Sequence, residues 1–153
     1  MVKKSMFLLW MFLALIVGVA ILVAINIKEK KSRSILQTRT QNAISDYRSG
    51  NEPDIDFSII TQFSWERMYI FGPYSVCKHI NEIIGVNWLG CKSTGIEYNE
   101  NGSLFVFVEN QRVVQYMLYE GIFTDAVNTQ GFSFQEAHFI IDDKGIIKWV
   151  YGE

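Results

Sequence analysis

The chain has 153 residues, of which 49% are hydrophobic, 20% charged and 14% aromatic, with 2 Pro, 2 Cys and 2 His. This composition excludes a disordered chain, a collagen-like repeat and a disulfide-dense scaffold. The histidines and cysteines are too few for a metal cluster rich in both, and the sequence has no glycine-rich phosphate loop and no nucleophile elbow. We therefore expect a protein without catalytic residues, cofactor or metal ion.

The first predicted element is a membrane-spanning helix. Residues 1–5 form a short basic tail, and the following twenty residues, Met6 to Ile25, carry no charge. At about 1.5 Å per residue, this run matches the roughly 30 Å hydrocarbon core of a bilayer, so residues 6–27 are predicted to span it. The alternative is a signal peptide cleaved after Gly18-Val19-Ala20, but cleavage there would leave an exposed apolar tail.

The charges are divided unevenly along the chain. Residues 1–40 carry 7 Lys+Arg against 1 Glu, a balance of +6, while residues 41–153 carry 7 against 15 acidic residues, a balance of −8. The basic excess after the span favours a cytoplasmic C-terminus, whereas a short tail, one span and a long domain form the layout of a signal anchor. We expect a single-pass anchor in a bacterial inner membrane, with an extracytoplasmic domain. Its acidic character argues against a nucleic-acid partner.

Residues 28–50 are predicted to form a basic juxtamembrane helix or stalk that ends at Gly50, and residues 51–153 a globular domain. The fold class predicted for the chain is α+β, a transmembrane helix followed by a mainly antiparallel meandering sheet with one or two helices packed on it. The predicted elements of the domain are strands at 57–63 and 65–71, a helix at 76–84 between Ser75 and Gly85, and hairpins that turn at 99–102, 110–112 and 143–145.

Several of these strands are apolar on both faces. In the segments 104–108, 113–119 and 146–151, apolar residues occupy odd and even positions alike. Such a sheet needs a cover on each side, and the 76–84 helix supplies one. We expect the second cover to be the 32–47 helix, the loop 120–135 or another molecule. If another molecule covers this face, an exposed Tyr- and Trp-rich patch would be its binding surface.

The two cysteines, Cys77 and Cys91, are candidates for a disulfide. Their spacing of fourteen residues does not fit a CxxC redox pair or a zinc knuckle. In an oxidising compartment they could join the 76–84 helix to the following segment, whereas in the cytoplasm they would remain two small buried hydrophobic side chains. The state of the pair therefore depends on the orientation of the anchor.

The most distinctive stretch is Trp65-Glu66-Arg67-Met68-Tyr69-Ile70-Phe71-Gly72-Pro73-Tyr74. It resembles a W-[DE]-[RK]-x-Y-x-F-x-P-Y motif of small bacterial membrane- or lipid-anchored proteins in which a helix, a Trp and an LVFV-type strand follow, here matched by residues 75–84, Trp88 and residues 104–108. The resemblance spans residues 63–150. It implies a membrane-tethered α+β domain and no activity, because none is established for that family.

The same stretch holds the candidate contact residues for a partner. On a regular strand, alternate positions lie on one face, so an arginine is expected among aromatic rings, a combination enriched in binding interfaces. The alternative is a core strand whose arginine reaches solvent. The candidate contact residues are Trp65, Arg67, Tyr69, Phe71 and Tyr74.

These features favour a membrane-anchored, non-enzymatic binding module whose partners are the lipid bilayer, through residues 6–27, and an unidentified protein. An immunity or exclusion protein is one concrete form. A structural subunit of a membrane complex is the first alternative, because Ala14 and Gly18 lie four residues apart on the apolar helix. The second is a hydrolase that uses two convergent carboxylates, with the candidates Glu66, Glu97, Glu109 and Asp142.

Overall fold

The computed structural model describes residues 2–121, 130–142 and 147–150, with side chains described from Trp10 onward. An N-terminal helix precedes two antiparallel sheets and short helices, so the predicted α+β class is confirmed. The helices are α1 (Val2–Arg48), α2 (Phe57–Ile60) and α3 (Cys77–Ile84), with 3-10 turns at Leu89–Thr94 and Ile96–Tyr98. The strands are β1 (Ile55–Asp56), β2 (Arg67–Phe71), β3 (Gly102–Glu109), β4 (Arg112–Glu120), β5 (Phe132–Ser133), β6 (His138–Ile141) and β7 (Ile147–Trp149).

Helix α1 is long and apolar enough to cross a membrane, which fits a single span or a signal anchor. It ends at Arg48, just before the predicted glycine stop, with Gly50 in the left-handed conformation at φ 72° and the Asn51 N–H donating to the Asp46 carbonyl. The chain divides into two compact units, residues 1–35 and residues 36–153. The second unit therefore begins inside the segment that the sequence interpretation assigns to the stalk.

The larger sheet has four strands in the order β4-β3-β2-β5. The β3–β4 hairpin was predicted, and it turns through Asn110 and Gln111, whose φ angles of 49° and 58° are both positive. Two consecutive left-handed residues are typical of a type I′ turn, whose twist matches that of the flanking strands. Strands β1, β6 and β7 form the smaller sheet, which contains the predicted C-terminal hairpin. The turn predicted at 143–145 lies outside the described residues.

The four-stranded sheet is covered on both faces by this chain. On one face Phe105 and Phe107 pack in a cluster with Leu36 and Ile44 of α1 and with residues of the smaller sheet. On the other face a cluster forms against α3 and the 3-10 turns, with the members Tyr69, Phe71, Cys77, Ile80, Ile84, Cys91, Ile96, Leu104, Val106 and Val108. The second cover thus includes the end of α1, one of the expected alternatives.

Three local predictions are wrong. The segment predicted as a strand at 57–63 begins with α2, because the Asp56 carboxylate accepts the Ser58 N–H at 2.7 Å and caps a helical turn. The first hairpin also fails, because residues before the Asn99 turn form 3-10 turns instead of a strand. For α3, the Ser75 hydroxyl donates to the Gly72 carbonyl instead of capping, while Gly85 ends the helix in the left-handed conformation as predicted.

Candidate functional site

Three of the five candidate contact residues are buried. Trp65 lies in the cluster on the α1 side of the sheet, its indole N–H donating to the Thr61 hydroxyl at 2.8 Å. Tyr69 and Phe71 lie in the cluster on the α3 side. The expectation that these three share one face is wrong, because β2 begins at Arg67 and strand alternation does not extend back to Trp65. None of the three offers a ring to a partner.

Arg67 is half-exposed and engaged within the domain. Its guanidinium donates to the Gly131 carbonyl at 3.4 Å and lies 3.9 Å from the Glu136 carboxylate. Hydrogen bonds from the Ser133 hydroxyl and backbone N–H, together with the Arg67 charge, hold the pKa of Glu136 below its usual range. Arg67 therefore fastens β2 to the segment around β5, and its guanidinium is occupied by contacts within the domain.

Tyr74 is the candidate residue that stays on the surface, with 57% of the residue exposed. Its φ of 60° places a bulky side chain in the left-handed region, which is uncommon outside glycine, asparagine and aspartate. The conformation is held by the Tyr74 N–H, which donates to the Asn99 carbonyl at 3.2 Å, and by the hydroxyl, 3.4 Å from Glu100 Oε2.

Tyr98 continues this surface and is 85% exposed. It directly precedes Asn99, which holds Tyr74, so the two tyrosines belong to one local structure. We call the exposed side chains of Tyr74 and Tyr98, together with the Glu100 carboxylate that the Tyr74 hydroxyl contacts, the tyrosine surface. Sequence reasoning missed Tyr98, because the segment 94–98 resembles a strand whose aromatic residue belongs to the core.

A disulfide between Cys77 and Cys91 ties the elements beneath the tyrosine surface, with the two Cα atoms 5.7 Å apart. Both cysteines are buried in the α3-side cluster. The Glu97 carboxylate also accepts the Cys77 N–H at 2.8 Å, so α3 is attached at its start to both 3-10 turns. The tyrosine surface is thereby placed on a cross-linked support.

A recess lies between the end of α1 and the segment 52–62. This acidic groove has a volume of about 640 Å³. Its polar lining residues are Arg39, Asn42, Asp46, Glu52, Asp54, Asp56 and Gln62. Arg39 donates to the Ile60 carbonyl at 3.3 Å, and the acidic side chains outnumber this one cation among the lining residues. The groove therefore repels anions.

His138 joins the two aspartates of this groove. Its Nδ1 lies 2.6 Å from Asp54 Oδ2, and its Nε2 lies 3.9 Å from Asp56 Oδ1. Asp142, which lies closer to His138 in the chain, contacts Lys148 at 2.9 Å instead. A sequence gives no signal for the actual contact, because 84 residues separate Asp54 from His138.

The carboxylates considered for a hydrolase take separate structural roles. Glu66 accepts the Asn110 N–H at 3.2 Å, Glu97 accepts the Cys77 N–H, and Asp142 pairs with Lys148. Glu109 lies opposite Arg112 at the end of the β3–β4 hairpin. The contacts of Glu66, Glu97 and Asp142 each connect parts of the fold that are distant or adjacent in the chain. Within the described ranges, no group of three or more His, Cys, Asp or Glu residues is arranged to hold a metal ion.

No protein-family model, curated protein or solved structure matches this chain.

Proposed function

We propose that the chain is a membrane-anchored, non-enzymatic module that binds another protein on the extracytoplasmic side of a bacterial membrane through the tyrosine surface. The observation that carries this proposal is the presence of two exposed tyrosines, Tyr74 and Tyr98, on a cross-linked support, with the backbone of Tyr74 hydrogen-bonded to Asn99, the residue after Tyr98. Exposed tyrosines on a preorganised surface supply contact area at low entropic cost, which is why tyrosine is enriched in interfaces.

The apolar part of α1 supports membrane anchoring, because its side chains from Trp10 to Ile27 are exposed and too hydrophobic for water. The Cys77–Cys91 disulfide supports an extracytoplasmic domain, since such bonds persist in oxidising compartments and are rare in the cytoplasm. An immunity or exclusion protein is the concrete form that this combination favours, because such a protein acts by occupying the surface of another protein.

The proposal is tested by placing a photo-crosslinking amino acid at Tyr98 in the full chain and irradiating intact cells. The matched control carries the same amino acid at Arg112, which is exposed in the β3–β4 turn. We expect a discrete protein adduct from position 98 and none from position 112. Adducts of equal yield at both positions, or no adduct at either, would contradict the proposal.

A structural subunit of a membrane complex is the second candidate function. A Cβ added at Gly18 meets no atom within 4 Å, so the helix surface is open at the small residues Ala14 and Gly18. Close helix packing in a bilayer uses such small residues. Replacing both with isoleucine is expected to abolish co-purification of the complex if this candidate is correct and to leave it unchanged otherwise.

A further inference from the structure

A recess of about 500 Å³ adjoins the tyrosine surface. Its lining residues are Tyr98, Asn99, Glu100, Asn101, Glu120 and Gly121. Two acidic residues, Glu100 and Glu120, therefore line the same open depression as Tyr98, and the Tyr74 hydroxyl lies 3.4 Å from Glu100 Oε2. None of these lining residues carries a positive charge, so the Glu100 and Glu120 carboxylates give the lining a net negative charge.

Three hydrogen bonds hold the segments that line the recess in place. The Asn101 N–H donates to Asn99 Oδ1 at 2.9 Å, and the Gly121 N–H donates to the Asn101 carbonyl at 2.9 Å. The Ser103 hydroxyl donates to the Gly121 carbonyl at 2.9 Å, which joins the start of β3 to the residue after β4. A Cβ at Gly102 would come within 2.7 Å of Asn99 Oδ1, so this close packing depends on glycine. A preformed recess lowers the cost of binding.

The chemistry of the recess selects a cation with a flat, delocalised charge. Carboxylates bind a guanidinium through paired charge-assisted hydrogen bonds, and tyrosine rings attract the same group through cation–π contact. An apolar occupant would have to bury the Glu100 and Glu120 charges without a partner, which is costly. An anionic occupant would be repelled by these carboxylates and by the −8 balance of residues 41–153.

Resting on the proposed function, we propose that this recess is the specificity site of the tyrosine surface and takes an arginine side chain from a basic segment of the protein partner. Tyr98 stacks on the guanidinium, Glu100 and Glu120 accept its hydrogen bonds, and Tyr74 positions Glu100. The partner's contact segment is accordingly basic, and its attraction to the acidic domain accelerates encounter at low ionic strength.

The test uses the full chain in detergent micelles and an acetylated, amidated tetra-arginine peptide, with the tetra-citrulline peptide as its neutral isostere. Binding is measured for wild type, Glu100→Gln, Glu120→Gln and Glu82→Gln, where Glu82 is an exposed carboxylate on α3 outside the recess. Each of the three substitutions removes one negative charge. We expect weakening of about fivefold or more for Glu100→Gln and Glu120→Gln, and less than about twofold for Glu82→Gln.

Tyr98→Phe is expected to keep the affinity and Tyr98→Leu to lose it, because only the aromatic face is required. Equal weakening by all three Glu→Gln variants, or equal binding of tetra-citrulline, would overturn the proposal, because attraction would then be general or independent of charge. Displacement of the peptide by choline but not by arginine amide would assign the recess to a lipid headgroup and would also overturn it.

The two proposals fail separately. If position 98 crosslinks to a protein whose capture is unaffected by Glu100→Gln and Glu120→Gln, the arginine site is wrong and the binding module stands. If the peptide binds as expected but position 98 yields no adduct in cells, the recess recognises arginine and the proposed function is wrong.

Discussion

Ile35 and Leu36 are neighbours in one helix, yet Ile35 is 44% exposed whereas Leu36 is 3% exposed. The change coincides with the start of the second compact unit, in which Leu36 and Ile44 contribute to the core. Thr40 is completely buried between them along the helix, its hydroxyl donating to the Leu36 carbonyl at 3.0 Å. The end of α1 is therefore a core element of the domain and not a passive linker.

The boundary between the two units predicts that substitutions at these two adjacent residues change the free energy of unfolding by different amounts. Leu36→Ala removes a buried side chain and is expected to lower the free energy of unfolding by about 2–5 kcal/mol. Ile35→Ala is expected to change it by less than about 0.5 kcal/mol. Urea unfolding of the full chain in micelles, followed by tryptophan fluorescence, measures both. Similar losses for the two variants would contradict the placement of the boundary.

The disulfide is expected to stabilise the domain by closing a loop between residues 14 apart. In the chain-entropy account, opening a loop of this length costs about 3 kcal/mol. Cys77→Ser, Cys91→Ser and the double variant should therefore lose similar amounts, because each of them opens the same bridge. Lys92→Ala, an exposed change within the loop, is the control. Stability equal to wild type in the double variant would show that the bridge contributes nothing.

Trp65 and Tyr98 provide a contrast between core and surface. Trp65→Ala removes a side chain in contact with Phe107 and Phe134 and is expected to cost about 3–5 kcal/mol of stability. Tyr98→Ala is expected to leave stability within about 0.5 kcal/mol while weakening binding of the tetra-arginine peptide. If Trp65→Ala remained stable but no longer bound the partner, Trp65 would be a contact residue of the interface and the prediction would be wrong.

Glu136 predicts a dependence of stability on pH. Its pKa is lowered in the folded state by the Ser133 hydrogen bonds and the Arg67 charge, so its contribution is present above the usual glutamate pKa. That contribution is lost as the pH falls through the lowered folded-state pKa. The melting temperature of wild type should therefore exceed that of Glu136→Gln at neutral pH, and the gap should narrow in acid. Glu52→Gln controls for the loss of one carboxylate. A gap that is constant from pH 7 to acid would contradict the prediction.

The parts of the fold that sequence predicts are those with local causes. The αL stop at Gly85 and the hairpin turn at Asn110-Gln111 follow from residues adjacent in the chain. The two-sided apolar pattern of 104–108 also predicts two covers, and both are present. These signals need no knowledge of distant contacts.

The candidate site was less predictable because its geometry depends on where strands begin and on distant partners. Strand β2 begins at Arg67 and not at Trp65 as predicted, and Trp65 packs on the opposite face of the sheet from Tyr69. No local sequence pattern marks this start. Tyr74 is joined by a backbone hydrogen bond to Asn99, the residue after Tyr98, in a segment misread as part of a hairpin.

The most direct test of an extracytoplasmic binding module is to determine on which side of the membrane the domain lies. A reporter thiol introduced by Glu52→Cys, at an exposed position of the domain, is labelled with a membrane-impermeant maleimide on intact cells, and Ser5→Cys in the N-terminal tail is the control. We predict that Glu52→Cys labels before lysis, that Ser5→Cys labels only after lysis, and that Cys77 and Cys91 are not labelled without reduction. Labelling of Glu52→Cys only after lysis, with free thiols at Cys77 and Cys91, would contradict an extracytoplasmic binding module.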